Sequence, residues 1–155
     1  MTAQYKMRLF SLLQQIQTFE FNSSTKGKSQ TGWNGSGNGT VSTKVKQDCV
    51  FFKEDGFFKL DISSQQTKIS NEYIWKQISP NKIKLSHARF GYDNAVTLFN
   101  LIKISDNIWQ SEEAHVCVDD LYSAKLTIKE DLIKLSWNIS GPKKDETIEY
   151  LYSIK

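Results

Sequence analysis

A chain of 155 residues with 39% hydrophobic and 24% charged side chains has the size and composition of one globular domain, able to bury a core without disulfides or metal. Lysine and arginine outnumber aspartate and glutamate by only 20 to 17, and the excess is dispersed apart from short pairs such as Lys143-Lys144, which excludes a basic stripe for nucleic acid. No apolar run approaches the ~20 residues of a membrane span, and Gln4, Lys6, Arg8, Gln14 and Gln15 interrupt the stretch that a signal peptide would keep apolar, so a soluble, cytoplasmic protein without a membrane partner is expected.

Tyr5, Leu9, Leu12, Leu13 and Ile16 recur at helical spacing with polar residues between them, so one amphipathic helix over residues 3–14 is expected to dock on a core. From residue 17 the period falls to two, and Phe19 and Phe21 alternate with Thr18, Glu20 and Asn22 in a first strand ending near Ser24. Residues 26–38 hold Gly27, Gly32, Gly35 and Gly37 around Trp33. No Lys-Ser or Lys-Thr follows at phosphate-loop spacing and no helix comes after, so this stretch reads as a flexible hairpin loop.

Beyond it, short β-like segments alternate with turn chemistry. Strands are expected at 39–46, 49–53, 57–62, 72–78, 82–90, 95–104, 108–118, 121–129, 132–139 and 146–154. Turns fall at Glu54-Asp55-Gly56, Ser79-Pro80-Asn81, Gly91-Tyr92-Asp93-Asn94, Ser105-Asp106-Asn107, Asp119-Asp120, Glu130-Asp131 and the Gly141-Pro142 loop. Such short connections favour a mainly β, antiparallel up-and-down barrel of about ten strands in a single domain, 1–155, over a Greek-key sandwich. Eleven strands would leave the first and last parallel, a tension in the count. Alternate turns of a meander lie at opposite ends, which groups the loops near 47, 63–68, 91–94, 119–120 and 140–144 at one end. The loops near 26–38, 55, 80, 106 and 130 are then expected at the other.

Strand alternation places His87 and Arg89 on the face of Ile83 and Leu85, His115 with Cys117 and Trp109, and Tyr73 with Trp75. The result is a half-polar interior, which is how a small-molecule pocket is built, unless these groups merely bond one another at a barrel end. Ligand contacts are accordingly expected from Tyr73, Trp75, His87, Arg89, His115, Cys117, Tyr122 and Trp137, with Lys144 of the Gly-Pro loop offering charge to an anionic group. His115 and Cys117 could chelate with His87, Cys49 or Asp119, but no CxxC or HxxxH spacing is present, and nothing selects haem; no cofactor or metal is expected. Cys49 and Cys117 lie in apolar runs and read as small buried hydrophobes.

The order Gly37-x-Gly39, Tyr73-x-Trp75, Phe90 with Asp93-Asn94 and Phe99, then His115-x-Cys117-x-x-Asp120-x-Tyr122 and Trp137-x-Ile139-x-Gly141-Pro142-x-Lys144-Asp145 with Thr147 and Tyr150 resembles an uncharacterised family of small domains of unknown function. The resemblance runs from about residue 10 to the end and implies a lipocalin-like (calycin) barrel with a lumen. Asn100 stands where that family often carries a histidine, and it is counted with the ligand-contact candidates. The resemblance also implies a barrel end closed beside the N-terminal helix. By the turn count above, that is the end of His115 and Tyr122, so the cluster either lines a pocket or plugs a floor.

Three functions are compatible with these residues. The leading one is a non-catalytic barrel that binds an apolar or amphipathic small molecule. The second is a small enzyme, an isomerase, cyclase or hydrolase, using His115 or His87 as general acid or base with Asp120 or Tyr122 as partner. The third is an interaction module with a filled barrel.

Overall fold

The computed structural model describes residues 8–25, 34–112, 115–117, 120–142 and 145–154, with backbone alone at 115–117 and 120. One helix, α1 (Arg8–Leu13), precedes eleven strands: β1 (Thr18–Thr25), β2 (Gly35–Lys46), β3 (Cys49–Leu60), β4 (Gln66–Ser79), β5 (Lys82–His87), β6 (Val96–Ser105), β7 (Ile108–Ser111), β8 (His115–Cys117), β9 (Asp120–Lys129), β10 (Leu132–Ser140) and β11 (Asp145–Ser153). Residues 3–7 of the expected helix and 26–33 of the expected loop lie outside the described residues.

All pairings are antiparallel and follow chain order, and the sheet closes because β1 pairs with both β2 and β11 while β10 pairs with both β11 and β9. β7 and β8 occupy one position: β7 pairs with Lys125–Thr127 of β9, and β8 pairs with Asp120–Tyr122 further along the same strand. The barrel therefore has ten strand positions, an even number, and its first and last strands are antiparallel neighbours.

Two expectations need correcting. Glu54-Asp55-Gly56 is not a turn, because β3 runs unbroken from Cys49 to Leu60 with Val50, Phe52, Glu54, Gly56 and Phe58 buried on one face. Residues 35–38 of the expected loop are strand, with Gly35 and Gly37 turned inward. A side chain at Gly37 would overlap the Phe21 ring, and Gly39 and Gly56 face one another so closely that a Cβ on either would strike the opposite backbone. Here glycine makes room inside a barrel, and a composition typical of loops hid a strand.

Removing the false turn reassigns the ends. The connections at 47–48, 80–81, 106–107 and 130–131 share one end with the start of β1; those joining β1–β2, β3–β4, β5–β6, β8–β9 and β10–β11 share the other. α1 lies at the first end. The Arg8 guanidinium donates to the Asp106 carbonyl and to Asn107 Oδ1, Thr43 Oγ1 donates to the Gln14 carbonyl at 3.0 Å, and the backbone of Gln17 bonds to Ser153 and Val41 at 2.8 Å each. Leu9, Phe10, Leu13 and Ile16 are buried among Val41, Val50, Ile83, Leu101, Leu126 and Ile133, so the helix closes this end with hydrocarbon. The helix end and the end bearing His87, β8 and the Gly-Pro loop are opposite ends, contrary to the turn count; Cys49 is at the helix end.

Leu13 is fully buried beneath the barrel. Leu13→Ala is expected to lower the unfolding free energy by about 2–4 kcal/mol, read by urea denaturation, because the strands around it cannot collapse to fill the void.

Candidate functional site

At the end opposite α1 the side chains change character. Residues of β4, β5, β6, β9 and β10, with Arg89 from the turn after β5, line a partly open cavity of about 470 Å³ that includes Tyr73, His87, Tyr122 and Trp137, with Glu72, Thr97, Leu98 and Ile139 among the rest of its wall. Antiparallel register explains why residues so far apart in sequence meet: Tyr73 stands opposite His87, and Tyr122 opposite Ile139. A second, more open pocket of about 450 Å³ shares Ser70 and Asn71 with the first and is lined by Phe21, Phe58, Ile69, Ile148 and Tyr150 with Lys68 and Glu146.

Five of the residues named from sequence thus converge on one cavity. Trp75 lies deeper, with no exposed surface, edge-on to Phe52 at 5.8 Å. Asn100 falls between the buried Phe99 and Leu101, so alternation turns it to the outer side of β6, where it lines neither cavity. The backbones of His115, Cys117 and Asp120 run at the open end in the β8–β9 hairpin, with His115 opposite Tyr122; their side chains lie outside the described part of the structure, as does Lys144.

The rim carries both signs of charge. Arg89 is exposed, Glu72 accepts a hydrogen bond from the Tyr92 hydroxyl at 3.2 Å, and His87 is half-buried. Burial, then the Arg89 guanidinium, pushes the His87 imidazole below its ordinary value, so the ring is neutral at pH 7. Its Nδ1 accepts from the Arg89 backbone N–H at 3.5 Å. Among the described residues no group of three His, Cys, Asp or Glu side chains is placed to hold a metal ion.

Below the rim is an aromatic floor of which the sequence pointed only to Tyr73 and Trp137 as contacts. Phe58, Phe21, Tyr150 and Tyr152 form a stacked row with centroid separations of 5.5, 5.3 and 5.2 Å. Trp137 meets Tyr150 at 6.2 Å, Tyr73 at 6.3 Å and Phe99 at 5.1 Å. Beneath these rings Glu54 has no exposed surface, and its Oε2 accepts a 2.6 Å hydrogen bond from the Tyr152 hydroxyl. The Tyr150 hydroxyl is its next neighbour, and Tyr73 adjoins Tyr150. Burial raises the Glu54 carboxyl to about 7 against hydrogen bonds from Tyr152 and Tyr150 that pull it down. Burial, together with Glu54, raises the three tyrosines, which stay protonated and can donate. Glu54 Oε1 and the indole N–H groups of Trp75 and Trp137 have no hydrogen-bond partner among the described residues.

One signal for Glu54 was in the sequence. Read as a single strand, Val50-x-Phe52-x-Glu54-x-Gly56-x-Phe58 puts the glutamate on the apolar face.

A family model described as a family of unknown function (DUF6314) matches residues 16–154. No curated protein and no solved structure matches the chain.

Glu54 makes stability pH-dependent in a stated direction. Its folded value lies above the ordinary 4.5, so the folded state holds the proton more tightly and is favoured at low pH. This contribution is lost as pH rises from about 4.5 to 7, by roughly 3 kcal/mol in total. The stability difference between the parent and Glu54→Gln, from urea denaturation at pH 4.5 and pH 8, should move by about that much against the parent. A difference that stays flat would show that Glu54 carries no such penalty.

Proposed function

The chain belongs to the DUF6314 family of unknown function, and for it we propose a role as a non-catalytic barrel that binds an apolar or amphipathic small molecule at the end opposite α1. One observation carries this reading. The helix seals one end with Leu9, Phe10, Leu13 and Ile16, whereas the other holds a cavity of about 470 Å³, within the usual size of a small-molecule pocket, with aromatic walls and a few polar groups at the rim. A filled barrel would have carried the hydrocarbon packing of the helix end through to the second end.

The body of the ligand lies against Tyr73, Trp137, Leu98 and Ile139, and a polar or anionic head sits at the rim beside Arg89, with Tyr122 at its flank. Arg89 is suited to this because its guanidinium stays charged and offers a fork of donors. His87 contributes a neutral ring, and its recorded hydrogen bond is to backbone rather than to a carboxylate that would orient it as a catalytic base. The same proposal places the protein in the cytoplasm with neither a nucleic-acid nor a membrane partner. It is consistent with the near-balanced charge, and among the described residues no helix is long and apolar enough to cross a membrane.

The test is titration with 1-anilinonaphthalene-8-sulfonate, an aromatic body with one anionic head, followed by its fluorescence. Binding is expected in the micromolar range. Arg89→Ala should weaken it about five- to tenfold, the loss of one charge-assisted contact, and Leu98→Trp, which fills the cavity, should abolish it. Unchanged binding in Leu98→Trp would put the dye elsewhere on the surface and overturn the assignment.

A further inference from the structure

Among the described residues two carboxyl side chains are buried, Glu54 and Glu146, and they differ in what they can reach. Glu54 is sealed beneath the rings and lines neither pocket, whereas Glu146, 7% exposed, lines the second pocket. Strand alternation puts it there: on β11 it shares the inner face with Ile148, Tyr150 and Tyr152, and it stands opposite Ile139 of β10 and Thr25 of β1. Its carboxylate has neither a hydrogen bond nor an ion pair among the described residues, and unlike Glu54 Oε1 its oxygens are not cut off from solvent. The neighbouring Glu149 faces outward and pairs with Lys134 at 3.4 Å.

The rest of the pocket gives this acid an apolar setting. β2 contributes only Gly35 and Gly37 to the inner face between β1 and β3, and the rings of Phe58 and Phe21 lie over these glycines, stacked at 5.5 Å. Ile69, Ile148 and Tyr150 continue the wall. Lys68 stands at the edge, but it is exposed, alternation with Ile69 turns its side chain to the outer face, and no ion pair joins it to Glu146 among the described residues.

Glutamates are almost never buried unless paired, because removing a carboxylate from water without a counter-charge is costly. A carboxylate ligand would be repelled by Glu146. A neutral hydroxyl would donate one hydrogen bond and leave the charge uncompensated. A metal ion needs more ligands, and among the described residues no three His, Cys, Asp or Glu side chains gather. An ammonium supplies the charge and three donors, of which one can reach Glu146 and another the amide oxygen of Asn71 on the same wall.

We propose that the second pocket is a binding site for an organic amine, its ammonium held by Glu146 and its apolar body laid against Phe21, Phe58, Ile69 and Ile148. This site is separate from the Arg89 rim and selects the opposite charge.

The test is calorimetric titration of the intact protein at pH 7 with 2-(aminomethyl)naphthalene and with 2-(hydroxymethyl)naphthalene, its neutral counterpart of the same shape. The amine is expected to bind about tenfold more tightly than the alcohol, the worth of one charge-assisted contact. Glu146→Gln keeps the shape of the wall and removes the charge, so the amine should fall to the affinity of the alcohol. Should that variant not fold, Ser23→Lys carries the same expectation: residue 23 stands opposite Ile148, diagonal to Glu146, and a lysine there supplies an internal ammonium. Methyl resonances of Ile69 and Ile148 should shift as the amine is added. Equal affinity for amine and alcohol, a preference that survives the substitution, or shifts at Leu98 and Ile139 of the first cavity in place of Ile69 and Ile148 would each overturn the assignment. Failure of both compounds to bind overturns it as well, and leaves the ligand proposed at Arg89 to its own test.

Discussion

Closure of the sheet is the constraint from which the other features follow. Once β10 pairs with β9 and β1 with β11, every strand has one face turned into a shared interior, and whatever stands at alternate positions must be accommodated there. An interior bounded by ten strand positions is too wide for aliphatic side chains alone to meet across it at every level. At one end the problem is solved by inserting α1, whose Leu9, Phe10 and Leu13 complete the hydrocarbon packing. At the other, large rings span part of the distance and cavities occupy the remainder.

That division gives the molecule its polarity. The helix end is closed by hydrocarbon, whereas Glu54, Tyr73, Tyr150, Tyr152, Trp75 and Trp137 lie between that seal and the far rim, and Glu54 Oε1 and both indole N–H groups have no hydrogen-bond partner among the described residues. Glu54 is costly to bury, since desolvation outweighs the hydroxyls that surround it. A leucine there would fill the space without that cost. The surface ion pairs, such as Lys82 with Glu112 at 3.0 Å, are too exposed to shape the molecule in a comparable way.

Much of the barrel could be read from local patterns. Period-two alternation and the turns at Pro80, Asn107 and Glu130 marked strands and their connections, and the helical spacing of Leu9, Leu13 and Ile16 marked the element that seals the barrel. Errors arose where local chemistry was ambiguous. Glu54-Asp55-Gly56 has the composition of a tight turn, yet across from it stands Gly39, and the paired glycines let two strands pass closely enough for β3 to continue. That single misreading inverted the assignment of loops to ends for everything before it, and with it the relation of the helix to the candidate site. It also concealed Glu54 by placing it outside the barrel.

Within the site, Tyr73, His87, Tyr122 and Trp137 were legible because each lies on a strand whose apolar neighbours establish the inward face, whereas Arg89 reaches the cavity from the exposed turn after β5. Asn100 was misplaced because it rested on a family pattern rather than on the alternation of Phe99 and Leu101 around it. Sequence by itself determined that this chain is an antiparallel meander with one docking helix, since alternation and turn chemistry are properties of neighbouring residues. Tertiary structure alone decided which end the helix closes, that β7 and β8 share one position, and that Glu54, Tyr150 and Tyr152 meet beneath the cavity. Those facts depend on strand register and on barrel closure, which bring together residues nearly a hundred positions apart and which no local pattern encodes.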